Sequence, residues 1–162
     1  MNRHETEKKR LALIVPIERE ARALGKRVRR DYLVLTPRLE GRVDLLVADG
    51  SRETMYGALN SLDLVHWKLM IARAKKADEL RLIFPNSRLV RAAKQRVDEL
   101  RASGKAGSVS VLCLTVEAAV ELLRNGNGTD DFSASVDQQP SQKPSDRTTT
   151  PATKGQSPCK CD

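Results

Sequence analysis

Aromatic residues are scarce in this sequence: two Tyr, two Phe and one Trp make up 3% of its 162 residues. A chain of this length can bury the core of one domain, so that core has to be built from Leu, Val, Ile and Ala. The scarcity also argues against a surface that binds single strands by stacking bases on aromatic rings. Trp67 and Tyr56 are the only plausible stacking residues.

Cysteines and long apolar runs are also few. The three cysteines are an odd number, and Cys113 lies in an apolar, strand-like run, so no disulfide framework is indicated. No stretch approaches the ~18 apolar residues that cross a bilayer. The basic start and its short apolar segment run into Glu18 and Arg19 without the small-residue site of a signal peptide. We therefore expect no membrane partner and a reducing, intracellular compartment such as the cytoplasm.

Positive charge is abundant, and it is concentrated in one part of the chain. Residues 1–124 hold 25 Lys+Arg and 16 Asp+Glu, whereas residues 125–162 hold 4 and 5. A basic field attracts polyanions, and nucleic acid is the commonest one in a cell. The second segment is rich in Ser, Thr, Pro, Gly and Gln and cannot bury a core. We predict a folded domain over 1–124 and a disordered polar tail over 125–162.

Hydrophobic periodicity within 1–124 alternates between helix and strand. Helices are predicted to begin near residues 5, 61, 87 and 116, and strands to cover 32–35, 42–48, 54–60, 80–84 and 108–115. Pro16 either breaks the first helix or begins its second part, and Ser61 is predicted to cap the second. The order predicts an α/β fold in which a mixed sheet of about five strands is flanked by helices.

This order resembles the PD-(D/E)XK nuclease superfamily, which includes restriction endonucleases and archaeal Holliday-junction resolvases. The resemblance covers about residues 16–115 and is carried by the segments GRVDLLVADG, TMYGALNS and ARAKKADELRLIFPN. It implies a restriction-endonuclease-like core, duplex DNA as the partner, Mg²⁺ as the cofactor of cleavage and, as in many members, a homodimer. It also implies that Asp44 is a metal-binding carboxylate and that Glu18 or Glu20 in the first helix offers another.

The second family motif is degenerate in this chain. Cleaving a phosphodiester needs Mg²⁺ held by two carboxylates, and a lysine two residues after the second can steer the attacking water. Ala58 stands where the family has Glu, and Asn60 where it has Lys. Alanine has no ligand oxygen and asparagine no positive charge. We expect Asp44, Ala58 and Asn60 to lie on one sheet face as a dismantled cutting centre.

An alternative is that the following helix supplies the missing metal ligand and cation, since Asp63, His66 and Lys68 lie within two turns there. The competing interpretation of each is ordinary: Asp63 favours the dipole of a helix first turn, Lys68 is a solvated helix lysine, and His66 is a surface or half-buried imidazole. In the second strand, Val43, Leu45 and Val47 are predicted on one face and Asp44 on the other.

Basic clusters are the second functional signal. One cluster is predicted between the first helix and the first strand, and consists of Lys26, Arg27, Arg29 and Arg30. A second occupies one side of the third helix, and consists of Arg88, Arg91 and Lys94. Both are predicted to contact the phosphate backbone of duplex DNA. A third cluster, Arg73, Lys75 and Lys76, is interpreted as a solvated helix face.

Three hypotheses follow. The chain binds duplex DNA with a nuclease-like fold and cuts it weakly or not at all, it is an active Mg²⁺-dependent endonuclease with displaced residues, or it is a protein-interaction module that keeps the fold. Salt-dependent duplex binding separates the first two from the third. A nicking assay with Mg²⁺ or Mn²⁺ separates the first from the second.

Overall fold

The computed structural model describes residues 3–126. The tail predicted from residue 125 lies outside the described residues from 127 onward, and Cys159 and Cys161 with it. Helices α1 to α4 of the described part are Arg3–Ala23, Val65–Lys75, Ser87–Ala102 and Val116–Arg124. Strands β1 to β5 are Arg27–Thr36, Leu39–Asp49, Arg52–Ala58, Glu79–Phe84 and Ser110–Thr115.

The five strands form one mixed sheet in the order β1-β2-β3-β4-β5. The pairs β1–β2 and β2–β3 are antiparallel, because short turns join them, and the pairs β3–β4 and β4–β5 are parallel, because α2 and α3 cross between them. Helices α1 and α4 cover one face and α2 and α3 the other. The predicted α/β fold with a mixed sheet of five strands flanked by helices is confirmed.

Two apolar clusters, one on each face of the sheet, hold these layers together. Leu, Ile, Val and Ala dominate both, as the composition predicts. Within residues 3–126, the aromatic side chains with almost no exposure are Phe84, in the cluster under α2 and α3, and Tyr56, in the cluster under α1 and α4. No helix within residues 3–126 combines the length and the apolar character that crossing a bilayer requires.

Two helix boundaries differ from the prediction. Helix α1 runs through Pro16, because burial of Leu13, Ile14 and Ile17 against the sheet outweighs the hydrogen bond that proline removes. Helix α2 begins at Val65, four residues later than predicted, and Ser61 does not cap it.

The first and third strands also differ from the prediction. Strand β1 begins at Arg27, because its backbone pairs with β2 from Arg27 to Thr36 at every position except Asp31, and an edge strand needs no apolar side chains for that pairing. The first basic cluster therefore lies largely within β1, and not before it as predicted. Strand β3 ends at Ala58, so Asn60 lies beyond it.

Cys113 in β5 gives the fold a measurable dependence on alkaline pH. The residue is buried, and burial raises the pKa of its thiol from about 9 to about 11. The folded chain therefore holds the thiol proton more tightly than the unfolded chain, so this contribution to stability is complete below about pH 9 and is lost as pH rises through 11. Between pH 9 and 11, we expect the free energy of unfolding of a Cys113→Ala variant to fall by about 2 to 3 kcal/mol less than that of the original chain. Urea unfolding of both proteins at several pH values measures the difference, and parallel pH profiles would contradict it.

Candidate functional site

Asp44 lies in the middle of β2, where the alternation of side chains between the two sheet faces is interrupted. Val43 packs in the cluster under α2 and α3, whereas Leu45 and Val47 pack in the cluster under α1. Asp31, which stands opposite Asp44 in the register of β1, has a positive φ of 51° and does not pair with it. The prediction that Val43, Leu45 and Val47 share one face is therefore wrong, because the backbone is locally distorted at this point.

The Asp44 carboxylate is 3% exposed and is held from both layers of helices. Its Oδ2 accepts a hydrogen bond from Lys68 Nζ of α2 at 2.8 Å and another from the Ala58 backbone N–H of β3 at 2.9 Å. Its Oδ1 accepts from Arg10 Nη1 of α1 at 2.6 Å. Both oxygens are engaged, and two cations face one carboxylate.

Lys68 reaches Asp44 because it lies on the inner face of α2, beside the buried Val65 and Leu69. Its Nζ also donates to the Arg42 carbonyl oxygen at 3.1 Å, and the residue is 8% exposed. Its aliphatic stem crosses β3 at Gly57, where a Cβ would lie only 3.2 Å from the Lys68 Cδ. Glycine at that position therefore leaves the space through which the lysine passes.

Arg10 brings two further carboxylates to the site. Glu7, one turn earlier in α1, accepts from it at 2.6 and 3.0 Å, and Asp31 accepts from its Nη2 at 3.0 Å. The hydrogen bonds that Arg10 donates raise the pKa of its guanidinium. Those to Glu7 have the largest effect, followed by those to Asp44 and Asp31. The site is a network of three carboxylates and two cations.

The two degenerate motif positions are placed differently. The backbone of Ala58 contacts Asp44 directly, while its methyl group packs in the cluster under α1. Asn60 is exposed beyond the end of β3 and makes no hydrogen bond to Asp44. The structure brings Asp44 and Ala58 together and does not bring Asn60 to them.

The predicted acidic residues of the first helix are engaged elsewhere. Glu18 is buried and accepts hydrogen bonds from Arg22 at 3.0 and 3.1 Å and from Arg30 at 2.8 Å. Burial opposes the effect of these arginines, but together they lower the pKa of Glu18. Glu20 pairs with Arg124 of α4 at 2.8 Å, which lowers the pKa of Glu20. Neither glutamate contacts Asp44.

The two other residues proposed for a displaced site also lie apart from Asp44. Asp63 is exposed in the turn before α2, where it accepts a hydrogen bond from the Ser61 hydroxyl at 3.0 Å. The sequence predicted Asp63 in the first turn of a helix, and this prediction is wrong because α2 begins only at Val65. His66 is half-buried and makes no hydrogen bond to Asp44. Lys68 is the one member of that set that reaches the carboxylate.

This arrangement does not fit a bound magnesium ion. Mg²⁺ requires several oxygen ligands in a near-ideal octahedron, but both Asp44 oxygens accept from cations or an amide, and Ala58 supplies no side-chain oxygen. Among the residues that the structure describes, no group of three or more His, Cys, Asp or Glu side chains is arranged to hold a metal.

Two of the four cations in the first basic cluster pair with neighbouring carboxylates. Lys26 pairs with Asp49, and Arg30 with Glu18. Arg27 donates to the Gly50 carbonyl oxygen at 3.3 Å. Arg29 has no carboxylate partner within the described residues and lies 6.0 Å from the centre of the Tyr32 ring.

The second basic cluster has no acidic partner within the described residues. The side chains of Arg88, Arg91 and Lys94 are exposed on α3 and make no hydrogen bond or ion pair with any residue from 3 to 126. The first turn of α3 contains no acidic residue, and its N-terminus is capped by the Asn86 side chain, which accepts from the Leu89 N–H at 3.0 Å. Cations near a helix N-terminus oppose the helix dipole. Of the three, Arg88 lies in the first turn of α3, so its position has an electrostatic cost that an anionic partner would offset.

Sequence reasoning missed Arg10, Glu7 and Asp31. The signal for Arg10 was its spacing: it precedes Leu13, Ile14 and Ile17 by three, four and seven positions, so it lies on the buried stripe of α1. Lys68 likewise lies on the buried stripe of α2, because it follows the buried Val65 by three positions. A charged residue on an apolar helix stripe needs a buried partner of opposite charge.

Comparisons with known proteins give no match. No family model, no curated protein and no solved structure is similar to this chain.

Proposed function

We propose that this chain binds duplex DNA through the exposed surface of α3, and that its core has a restriction-endonuclease-like arrangement in which the former cutting centre is inactive. The observation that carries the proposal is the cluster Arg88, Arg91 and Lys94, three exposed cations that have no acidic partner in the part of the chain that the structure describes. In a reducing intracellular compartment, nucleic acid is the commonest partner for such a surface.

The geometry of the cluster suits the backbone of a duplex. From Arg88 to Lys94 the helix advances six steps, about 9 Å along its axis. Over the same length a duplex presents roughly five phosphate charges. Tyr56 is fully buried and Trp67 is 39% exposed, so the described residues provide no row of exposed rings for stacking bases. This favours backbone contact with duplex over a single-strand platform.

The second part of the proposal, binding without cutting, rests on Asp44. In place of a second carboxylate and a metal, the side chain faces Arg10 and Lys68. A buried carboxylate needs compensating charge, and here the protein itself supplies it. The site therefore stabilises the fold where the family pattern would place catalysis.

The contact between Lys68 and Asp44 is the specific observation that favours a second function, Mg²⁺-dependent cleavage of DNA by displaced residues. At 2.8 Å, Lys68 Nζ lies where it could act together with Asp44. Arg10 would have to leave Asp44 Oδ1 before that oxygen could take any other ligand. The second function is therefore the weaker proposal.

A supercoiled plasmid tests both proposals. Incubated with the chain and Mg²⁺ or Mn²⁺ at low salt, the plasmid should be retarded on a native gel and remain supercoiled after the protein is removed. Lys68→Ala serves as the matched variant, since it removes the displaced lysine and leaves the α3 cluster intact. No retardation at low salt would contradict the binding proposal, and nicking that is lost in Lys68→Ala would establish the second function.

A further inference from the structure

We propose that a crevice at the other end of β3 binds a small oxyanion of the phosphate class, either free phosphate or the monoester end of a small molecule. The crevice is lined by Lys26, Val47, Asp49, Arg52, Thr54, Tyr56, Arg81 and Leu123. Thr54 lies four residues before Ala58 on β3, a distance of about 13 Å along the strand. The site is thus distinct from the Asp44 network and goes beyond the proposed DNA binding.

A buried arginine forms the base of the crevice. The Arg81 side chain is 4% exposed, and its Nε donates to Glu79 Oε1. Its Nη1 donates to the Tyr56 hydroxyl oxygen at 2.8 Å. Its Nη2 donates to no residue within 3–126, and since no fully buried side-chain nitrogen there lacks a partner, Nη2 keeps a small exposed area. Because Arg81 lines the crevice, we infer that this area faces it.

The charges around the crevice leave an excess of one positive charge. The two oxygens of the buried Glu79 are shared between two arginines: Oε1 with Arg81, and Oε2 with Arg52 Nη2 at 3.0 Å. Lys26 and Asp49 form a separate neutral pair at the mouth. Arg81 and Glu79 compensate each other in the interior, so the excess charge lies on Arg52, whose side chain is 35% exposed. An anion in the crevice would face that charge.

The crevice is also rich in unused hydrogen-bond donors. In addition to Arg81 Nη2, the Thr54 hydroxyl has no hydrogen-bond partner among the described residues, and the Tyr56 hydroxyl accepts from Arg81 without donating to any of them. Burial raises the pKa of Tyr56, so the phenol keeps the proton that it can donate. The lining also contains the Asp49 carboxylate, which pairs with Lys26. The donors that remain unused match the oxygens of an anion.

The size of the crevice limits how an oxyanion could enter. Its volume is about 10 Å³, which is room for roughly one water-sized atom group. One anionic oxygen would therefore lie at Arg81 and Thr54, and the remaining oxygens would stay at the mouth. There Arg52 and Lys26 have long side chains that can turn toward them.

The test uses the full chain with inorganic phosphate and with methyl phosphate, each against sodium chloride of equal ionic strength. At a phosphate concentration ten times the Kd, the thermal midpoint should rise by about 4 °C, and the Nε–H NMR signal of Arg81 should shift. A response to both probes identifies a monoester site, and a response to inorganic phosphate alone identifies a site for the free ion.

Arg81 variants are expected to fold poorly, so Thr54→Val and Arg52→Gln carry the test. Each should weaken phosphate binding at least fivefold, whereas Arg96→Gln on α3, which removes an exposed cation that pairs with Glu99, should leave it unchanged. Phosphate that does no more than chloride overturns the proposal. So does a phosphate response that survives in both variants, because the anion then binds elsewhere. Neither result bears on the proposal of DNA binding, because that proposal is tested with a DNA duplex and not with phosphate.

Discussion

Replacing Asp44 with alanine is expected to lower the free energy of unfolding by about 3 to 5 kcal/mol. The change leaves the buried Lys68 ammonium without its carboxylate and the Ala58 N–H without its acceptor. Arg10 is less affected, because it keeps Glu7 and Asp31. The cost comes from leaving a charge and an amide buried without partners, and it is larger than the net contribution of the ion pair itself.

A matched control on the same strand is Asp49→Ala. Asp49 pairs with Lys26 and its side chain is 56% exposed, so its loss should cost no more than about 1 kcal/mol. Lys68→Met in the Asp44→Ala background should restore part of the lost stability, because it removes the uncompensated charge. Urea unfolding of the four proteins measures these differences. Equal costs at Asp44 and Asp49 would contradict the account of Asp44 as a compensated buried charge.

The order and type of the elements could be predicted because their apolar patterns are strong. Helices α3 and α4 begin at Ser87 and Val116 as predicted, where Asn86 and Thr115 provide capping side chains. Strand β4 is buried along its whole length, which is what its short apolar run indicates. These signals are local, so they can be read from the sequence without knowledge of the tertiary contacts.

The features that the sequence could not reveal depend on contacts between distant segments. Strand β1 begins in basic residues because β2 supplies its hydrogen bonds. The partners of Asp44 come from α1, β3 and α2, and its nearest partner in sequence, Ala58, is 14 positions away. Which basic cluster remains free of acidic partners also depended on such contacts, since Asp49 and Glu18 neutralise two residues of the first.

The largest expected effect on function concerns the α3 cluster. Replacing Arg88, Arg91 and Lys94 together with alanine should weaken binding to a duplex roughly ten- to a hundredfold at low salt. Each cation that neutralises a phosphate releases a counterion, so the slope of log affinity against log salt should fall by roughly 1 for each residue removed. All three side chains are exposed, so the folded state should be almost unaffected.

The matched control removes the same charge from cations that already have acidic partners. Lys9, Arg22 and Arg124, which lie outside α3, pair with Glu5, Glu18 and Glu20, respectively. Their triple alanine variant changes the net charge by the same amount as the α3 variant. A difference between the two variants therefore reports the position of the cations and not the total charge.

The most direct test of DNA binding through α3 is the fluorescence anisotropy of a labelled duplex, titrated with the original chain and both triple variants across a series of salt concentrations. The account predicts a steep linear fall of log affinity with log salt for the original chain and the control. For the Arg88, Arg91 and Lys94 variant it predicts a slope that is shallower by about 3. Equal slopes for the two variants, or no binding by the original chain at the lowest salt, would contradict it.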